Sequence, residues 1–176
     1  MLSLRTVVEL ADHEGLVLEA YKDVRGIWTW GVGVTSASGH RVERYIDNPS
    51  TIQRAIEVYE WLLRTKYLPD VLEAFRGHRL SESQLAAALS FHYNTGAIKR
   101  ARWVRLWKAG DIEGARRSFM SWSRPQAIIP RRRAEQRLFF DGVWSSDGQV
   151  LIFDVAKPSY RPVRPRAVGI TRYLSI

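Results

Sequence analysis

One run of strict period-2 alternation, Ile27-Trp28-Thr29-Trp30-Gly31-Val32-Gly33-Val34, stands in a chain whose other apolar residues recur at helical spacing. That contrast makes the fold class α+β, with a small sheet region near the N-terminus and helices through most of the remainder. Before the run, Leu4, Val7, Val8 and Ala11 fall at i, i+3, i+4 and i+7, so residues 3–13 read as an amphipathic helix opened by Ser3 and stopped at Gly15. Leu16 to Tyr21 is long enough to leave that helix and begin a strand, and Arg25-Gly26 is a turn signal. Within the run, Trp28, Trp30, Val32 and Val34 share one face, while Thr29, Gly31 and Gly33 share the other. The bulky face is the core face. The bare face is left for a cleft, where glycines let a ligand approach the backbone and one hydroxyl can hold a water.

Glu14 and Asp23 flank this first strand, nine positions apart. Cleaving a glycosidic bond with water takes a carboxylic acid to protonate the leaving oxygen and a carboxylate to steer water from the other side. Two carboxylates on neighbouring helical turns cannot face each other across a cleft, whereas a helix end and a hairpin can. The C-terminal end of a helix is electronegative, a setting that suits a proton donor at Glu14. His13, beside it, reads as a hydrogen-bonding surface residue rather than a base.

The pattern E-G-x7-D-x5-T followed by W-G-x-G, at Glu14, Gly15, Asp23, Thr29 and Trp30 to Gly33, resembles the active-site signature of the phage-type lysozymes, glycoside hydrolase family 24. The resemblance implies a lysozyme-like fold: a small N-terminal β-hairpin lobe and a larger, mainly α-helical lobe, with the active-site cleft between them. It makes Glu14 the general acid, and Asp23 with Thr29 the pair that positions water. It implies an inverting route, for which the carboxyls stand roughly 6.5 to 9.5 Å apart. Asn94, where a helix ends at Asn94-Thr95-Gly96, becomes a substrate-binding residue alongside Gly31 and Gly33, unless it merely ends the helix. One arginine of the Arg131-Arg132 pair would approach Glu14 and hold it; a solvated or anion-binding helix face is the other reading of that cluster. Further segments extend the likeness over most of residues 4–142: A-G-D-x3-A-x3-F-x2-W at 109–122, and Arg131-Arg132-x-x-Glu135-x-x-Leu138-Phe139. Members often carry Ser-Thr where this chain has Arg102-Trp103.

Residues 36–48 hold a Ser-Gly turn and a polar stretch that can return as a second strand. Ser50-x-x-Gln53 reads as a capping box before a stripe of Ile52, Ala55, Ile56, Tyr59, Leu62 and Leu63, a helix running to about residue 67. Pro69 then starts or kinks a further turn. Ser81-x-x-Gln84 is a second capping box, and Lys99 to Ala109, then Ile112 to Trp122, read as two more helices. Val150 to Val155 reads as a short strand. From Lys157 on, Pro158, Pro162 and Pro165 argue against regular structure, while Val168, Ile170, Tyr173, Leu174 and Ile176 supply apolar anchors for a tail wrapped on the helical lobe. The expected organisation is a catalytic domain at 1–145, with its β-lobe at about 15–48 and its helical lobe at 1–14 and 49–145. A strand and a basic, proline-rich extension follow at 146–176.

The chain has no cysteine, which excludes a disulfide framework and a thiolate metal site, and no His pair at metal spacing, so no cofactor is implied. Arg5, Glu9 and Asp12 interrupt any signal-peptide core, and no stretch approaches a membrane span. The expectation is a soluble monomer that stays in the host cytoplasm until a separate membrane-permeabilising protein releases it to peptidoglycan. Lysine and arginine outnumber acids 27 to 18, clustering at Lys99 to Lys108, Arg131 to Arg133 and Lys157 to Arg172. Such clusters attract anionic envelope polymers through the basic tail. A lytic transglycosylase needs no Asp23 or Thr29, and a nucleic-acid-binding module or a non-catalytic wall binder leaves the carboxylates unexplained. The seven tryptophans serve either sugar stacking or core filling.

Overall fold

The hydroxyl of Ser3 accepts from the Thr6 amide at 3.1 Å and opens α1, Leu4–Glu14. In this computed structural model, which describes residues 2–175, α1 buries Val7, Val8, Leu10 and Ala11, whereas Leu4 is 41% exposed and drops out of the expected stripe. Ile176, expected as an anchor, lies outside the described residues.

Three strands follow: β1 (Leu16–Lys22), β2 (Trp28–Gly31) and β3 (Val34–Thr35). β1 and β2 pair antiparallel at Val17↔Gly31, Tyr21↔Thr29 and Lys22↔Trp28, with an irregularity between Val17 and Tyr21 that leaves extra residues on β1. In that bulge the Leu18 carbonyl accepts from the Trp30 indole at 2.9 Å and the Ser50 amide at 2.8 Å.

The alternating run is therefore not one strand. It breaks at Val32-Gly33, and β2 and β3 fold back on each other through Thr29↔Thr35 and Trp30↔Val34. Gly31 and Gly33 take φ of +64° and +65°, the left-handed region where only glycine sits without cost. Trp30, Val32 and Val34 are buried as the bulky face predicted, but Trp28 is only half-buried. Residues 36–48 do not return as a strand either; they form 3-10 turns at Ser36–Ser38 and Glu43–Tyr45. Ser36 accepts from the Val42 amide at 3.0 Å and donates to Glu43 at 2.7 Å, so local side-chain bonds replace a ladder. Tyr45 then stacks on Trp30 with ring centroids 3.9 Å apart.

Helix α2 (Ile52–Leu62) buries Ala55, Ile56, Tyr59 and Leu62. Its cap is Thr51, which accepts from the Arg54 amide at 3.1 Å; the Ser50–Gln53 box does not form, because the Leu18 carbonyl takes the Ser50 amide and Gln53 bonds Glu57.

After residue 145 the chain adds β4 (Gln149–Ala156), parallel to β1 at Leu16↔Ile152 and Val17↔Phe153, and β5 (Arg161–Gly169), antiparallel to β4. The five-stranded order is β3-β2-β1-β4-β5. This overturns the expectation that prolines keep the basic tail irregular. β5 is an outermost strand, where Pro162 and Pro165 are tolerated because the open side needs no ladder donors. A register shift between Ile152 and Asp154 absorbs Arg164, which sits at φ +52°. Beyond β5, Ile170 is fully buried and the Ser175 amide donates to Glu60 of α2 at 3.0 Å.

Two compact units result. Helices α1 and α2 cluster with all five strands, so the C-terminal strands are built into the sheet rather than added beside it. Residues 63–145 form the other unit. It opens with a π turn, Leu63–Tyr67, where the helix widens ahead of Pro69, which has no amide hydrogen to give; α3 (Leu68–Ala74) follows. Helix α4 (Glu82–Thr95) carries both bonds of the Ser81–Gln84 capping box and ends at Gly96. The helix expected from Lys99 starts later, as α5 (Arg102–Lys108) after a 3-10 turn, and α6 (Ile112–Phe119) passes into a 3-10 turn through Trp122. Helix α7 (Ile129–Asp141) ends at Gly142. Trp103 belongs to the core: it is fully buried, with its ring centroid 4.7 Å from Phe119, 4.9 Å from Phe139 and 5.3 Å from Phe91.

Candidate active site

Glu14 is the last residue of α1, half-buried, with Gly15 as the C-cap at φ +72°. A Cβ at Gly15 would stand 3.0 Å from the Phe153 ring of β4, so both the turn out of the helix and the packing require glycine there. His13 faces back along its own helix, with Nε2 4.0 Å from a Glu9 carboxylate that also accepts from the Ser146 amide at 2.9 Å.

Asp23 sits at the end of β1 and is pinned by the backbone that follows. Its Oδ1 accepts from the Arg25 amide at 2.8 Å and the Ile27 amide at 2.9 Å, and its own amide donates to the Ile27 carbonyl at 3.0 Å. The Arg25 guanidinium lies 3.5 Å from Oδ2 but is exposed, so that pair adds little. Thr29, on β2, is 4% exposed, and its hydroxyl donates to the Ile27 carbonyl at 3.1 Å. With its hydrogen committed, the oxygen can only accept from a further partner.

Tyr21 ties these groups together, and sequence reasoning missed it. It is the direct cross-strand partner of Thr29. Burial, then the charges of Glu14 and of Asp23, raise its phenol far above the usual tyrosine range. One hydroxyl thus feels both carboxylates. The available signal was the spacing: Tyr21 lies on the expected strand two residues before Asp23, the position whose side chain an extended chain would turn the same way.

Gly31 and Gly33, expected to line a bare strand face, instead form the β2–β3 turn, and a Cβ at Gly31 would meet Ala55 at 3.6 Å. Their conformation accounts for both glycines without a ligand.

In the second unit, Asn94 lies exposed near the end of α4, and its Oδ1 accepts from Arg132 Nη2 at 2.6 Å. Arg132 is 1% exposed; it pairs with buried Glu135, donates to the Trp122 carbonyl at 3.1 Å and lies 4.9 Å from the Phe91 ring. Arg131 donates to the other Glu135 oxygen at 2.9 Å and to the Ser90 carbonyl at 3.2 Å, and Ser90 donates to Glu135 at 2.6 Å. Both arginines thus share Glu135, a pairing that sequence reading did not make.

Residues 11–135 match the family model described as phage lysozyme. The endolysin of Salmonella phage P22 is 28% identical over 145 residues, covering 78% of this chain and 97% of the relative. Among solved structures, the endolysin of Escherichia coli O157:H7 phage FAHEc1 is 25% identical with a TM-score of 0.72, covering 83% of this chain and 97% of that one. A mutant P22 lysozyme is 27% identical with a TM-score of 0.63, covering 79% and 97%.

The fold is lysozyme-like and the chain belongs to the phage lysozyme family. It is accordingly a lysozyme-type hydrolase that degrades peptidoglycan.

Proposed function

We propose that this enzyme is an endolysin-type muramidase, hydrolysing the β-1,4 bond between N-acetylmuramic acid and N-acetylglucosamine with inversion. Glu14 gives its proton to the glycosidic oxygen as the bond breaks. A water whose two hydrogens go to Asp23 Oδ2 and Thr29 Oγ1 turns its lone pair toward the anomeric carbon; as it adds, Asp23 takes the proton released. The observation that carries this reading is the fixing of the water-binding pair. Two backbone amides hold Asp23 Oδ1, which leaves Oδ2 as the working oxygen, and the Ile27 carbonyl orients the Thr29 hydroxyl. Asn94, with its carbonyl oxygen taken by Arg132, offers its amide hydrogens to the glycan. Gly31 and Gly33 serve by shaping the hairpin.

The enzyme works as a monomer without a cofactor, released from the host cytoplasm by a separate permeabilising protein. No helix among the described residues is long and apolar enough to cross a membrane. Exposed Arg161 and Arg164 of β5 carry no ion pair among the described residues and suit anionic envelope polymers.

The test is Glu14→Gln on purified peptidoglycan, with mass analysis of wild-type products. The variant folds and loses roughly 10²-fold or more of activity, and wild-type products carry one added water per cut. Wild-type activity in the variant refutes the assignment, and anhydro-sugar ends would make the enzyme a lytic transglycosylase.

A further inference from the structure

Hairpin β1–β2, which carries Tyr21, Asp23 and Thr29, is short and irregular. It pairs at three register positions around a bulge, and a two-strand hairpin is marginal without support. On the face that Tyr21 and Thr29 do not use stands the next cross-strand pair, Lys22 and Trp28, with the Lys22 ammonium 5.1 Å from the Trp28 ring centroid. Lys22 immediately precedes Asp23, and Trp28 immediately precedes Thr29.

Both residues of that pair are held by Tyr160, at the turn joining β4 to β5. The Lys22 amide donates to the Tyr160 carbonyl at 2.8 Å, and the Tyr160 ring meets Trp28 edge-on with centroids 5.0 Å apart. The turn is fastened in place in turn: the Tyr160 hydroxyl donates to Asp47 at 2.8 Å, and Lys157 bridges Glu19 and Asp47 while lying 4.0 Å from the Tyr160 ring centroid. Tyr160 holds φ at +55°, a strained conformation for a bulky residue that persists only where its surroundings dictate it. Tyr160 and Lys157 lie outside residues 11–135, the part that matches the family, while the residues they hold lie within it.

We propose that hairpin β4–β5 is a brace behind the catalytic hairpin and that Tyr160 is its positioning residue, touching one neighbour of Asp23 and one neighbour of Thr29. The proposal rests on the reading of Asp23 and Thr29 as the water-binding pair. The brace fixes where the water stands rather than how the glycan binds, so its loss falls on kcat and spares KM.

Tyr160→Ala and Tyr160→Phe are compared with wild type on purified peptidoglycan, together with amide hydrogen exchange at Arg25 and Ile27, the two amides bonded to Asp23. Ser159→Ala, in the same turn, is the control at wild-type activity. In Tyr160→Ala, kcat falls about tenfold with KM within about twofold, and exchange at Arg25 and Ile27 quickens about tenfold while the helices of residues 63–145 exchange as before. Tyr160→Phe keeps the ring and the backbone bond and restores kcat. Should Tyr160→Ala not fold, Tyr160→Leu keeps bulk but removes the ring that meets Trp28, and moves kcat and the two amides in the same direction. The brace is overturned if kcat and the two amides stay at wild type, if exchange rises everywhere alike, or if Tyr160→Phe is as impaired as Tyr160→Ala. The exchange measurement decides this even if an active Glu14→Gln variant removes the catalytic reading.

Discussion

Tyr21 and Thr29 face each other across the β1–β2 ladder, and the phenol of the first feels the charges of both Glu14 and Asp23. The hydroxyl of the second is spoken for by the Ile27 carbonyl. Thr29→Val keeps the shape and removes the acceptor. It lowers kcat by at least about tenfold and stability by about 1 kcal/mol, whereas Thr29→Ser keeps most of the rate. Steady-state kinetics and a melting curve for each variant check this.

Gly15→Ala places a methyl 3.0 Å from the Phe153 ring at a backbone φ of +72°. The strain costs about 1–3 kcal/mol and falls next to Glu14, so activity drops along with the midpoint of denaturation. A urea titration measures the first and wall digestion the second.

The buried pairing of Arg132 with Glu135 predicts a large penalty for breaking it on one side only, because both side chains are essentially shielded from water. Glu135→Ala costs about 3–5 kcal/mol, while the apolar replacement of both partners by Met recovers much of it. Denaturant unfolding of the single and double variants distinguishes the two. If the pair also orients Asn94, the double variant has a raised KM despite its recovered stability.

Acid sensitivity follows from two histidines. Burial is the first cause of the lowered pKa of His92, opposed by Asp70, and of His40, reinforced by Arg44 and Arg54. A histidine kept neutral by the fold binds its proton in the unfolded chain first. Its contribution is therefore present above about pH 6.5 and lost as pH falls from there to the lowered folded value. The lowered Asp70 carboxyl, held first by Lys99 and then by His92, contributes above the ordinary aspartate range and loses that contribution only at still lower pH. The melting temperature declines between pH 7 and 5, and His92→Gln makes that decline shallower.

Arg161→Ser with Arg164→Ser leaves hydrolysis of soluble glycan fragments unchanged and weakens binding to intact, anionic walls. The salt dependence of binding becomes less steep, which co-sedimentation at increasing ionic strength measures.

The first helix, its serine cap, the Ser81–Gln84 box and the helix stop at Gly96 were legible because each depends on neighbours in sequence. The candidate carboxylates were legible by their spacing and by family resemblance. What sequence could not show depends on partners far along the chain. Period-2 alternation describes side chains, so it ran through Gly31 and Gly33 although their backbone turns there. Proline counts against a strand in general, but β5 lies at an edge, and only the pairing of β4 with β1 across more than 130 residues makes it one. The joint hold of Arg131 and Arg132 on Glu135 was within reach, since residues three and four apart on a helix meet.

The parallel pairing of β1 with β4 also dictates an order of assembly on the ribosome. Residues 63–145 have every one of their own helices before β4 is translated, so they can gather around Trp103 first. The sheet holding Asp23 and Thr29 must wait for a strand translated more than 130 residues after β1. A chain built this way completes its sheet only after its helical unit has been made.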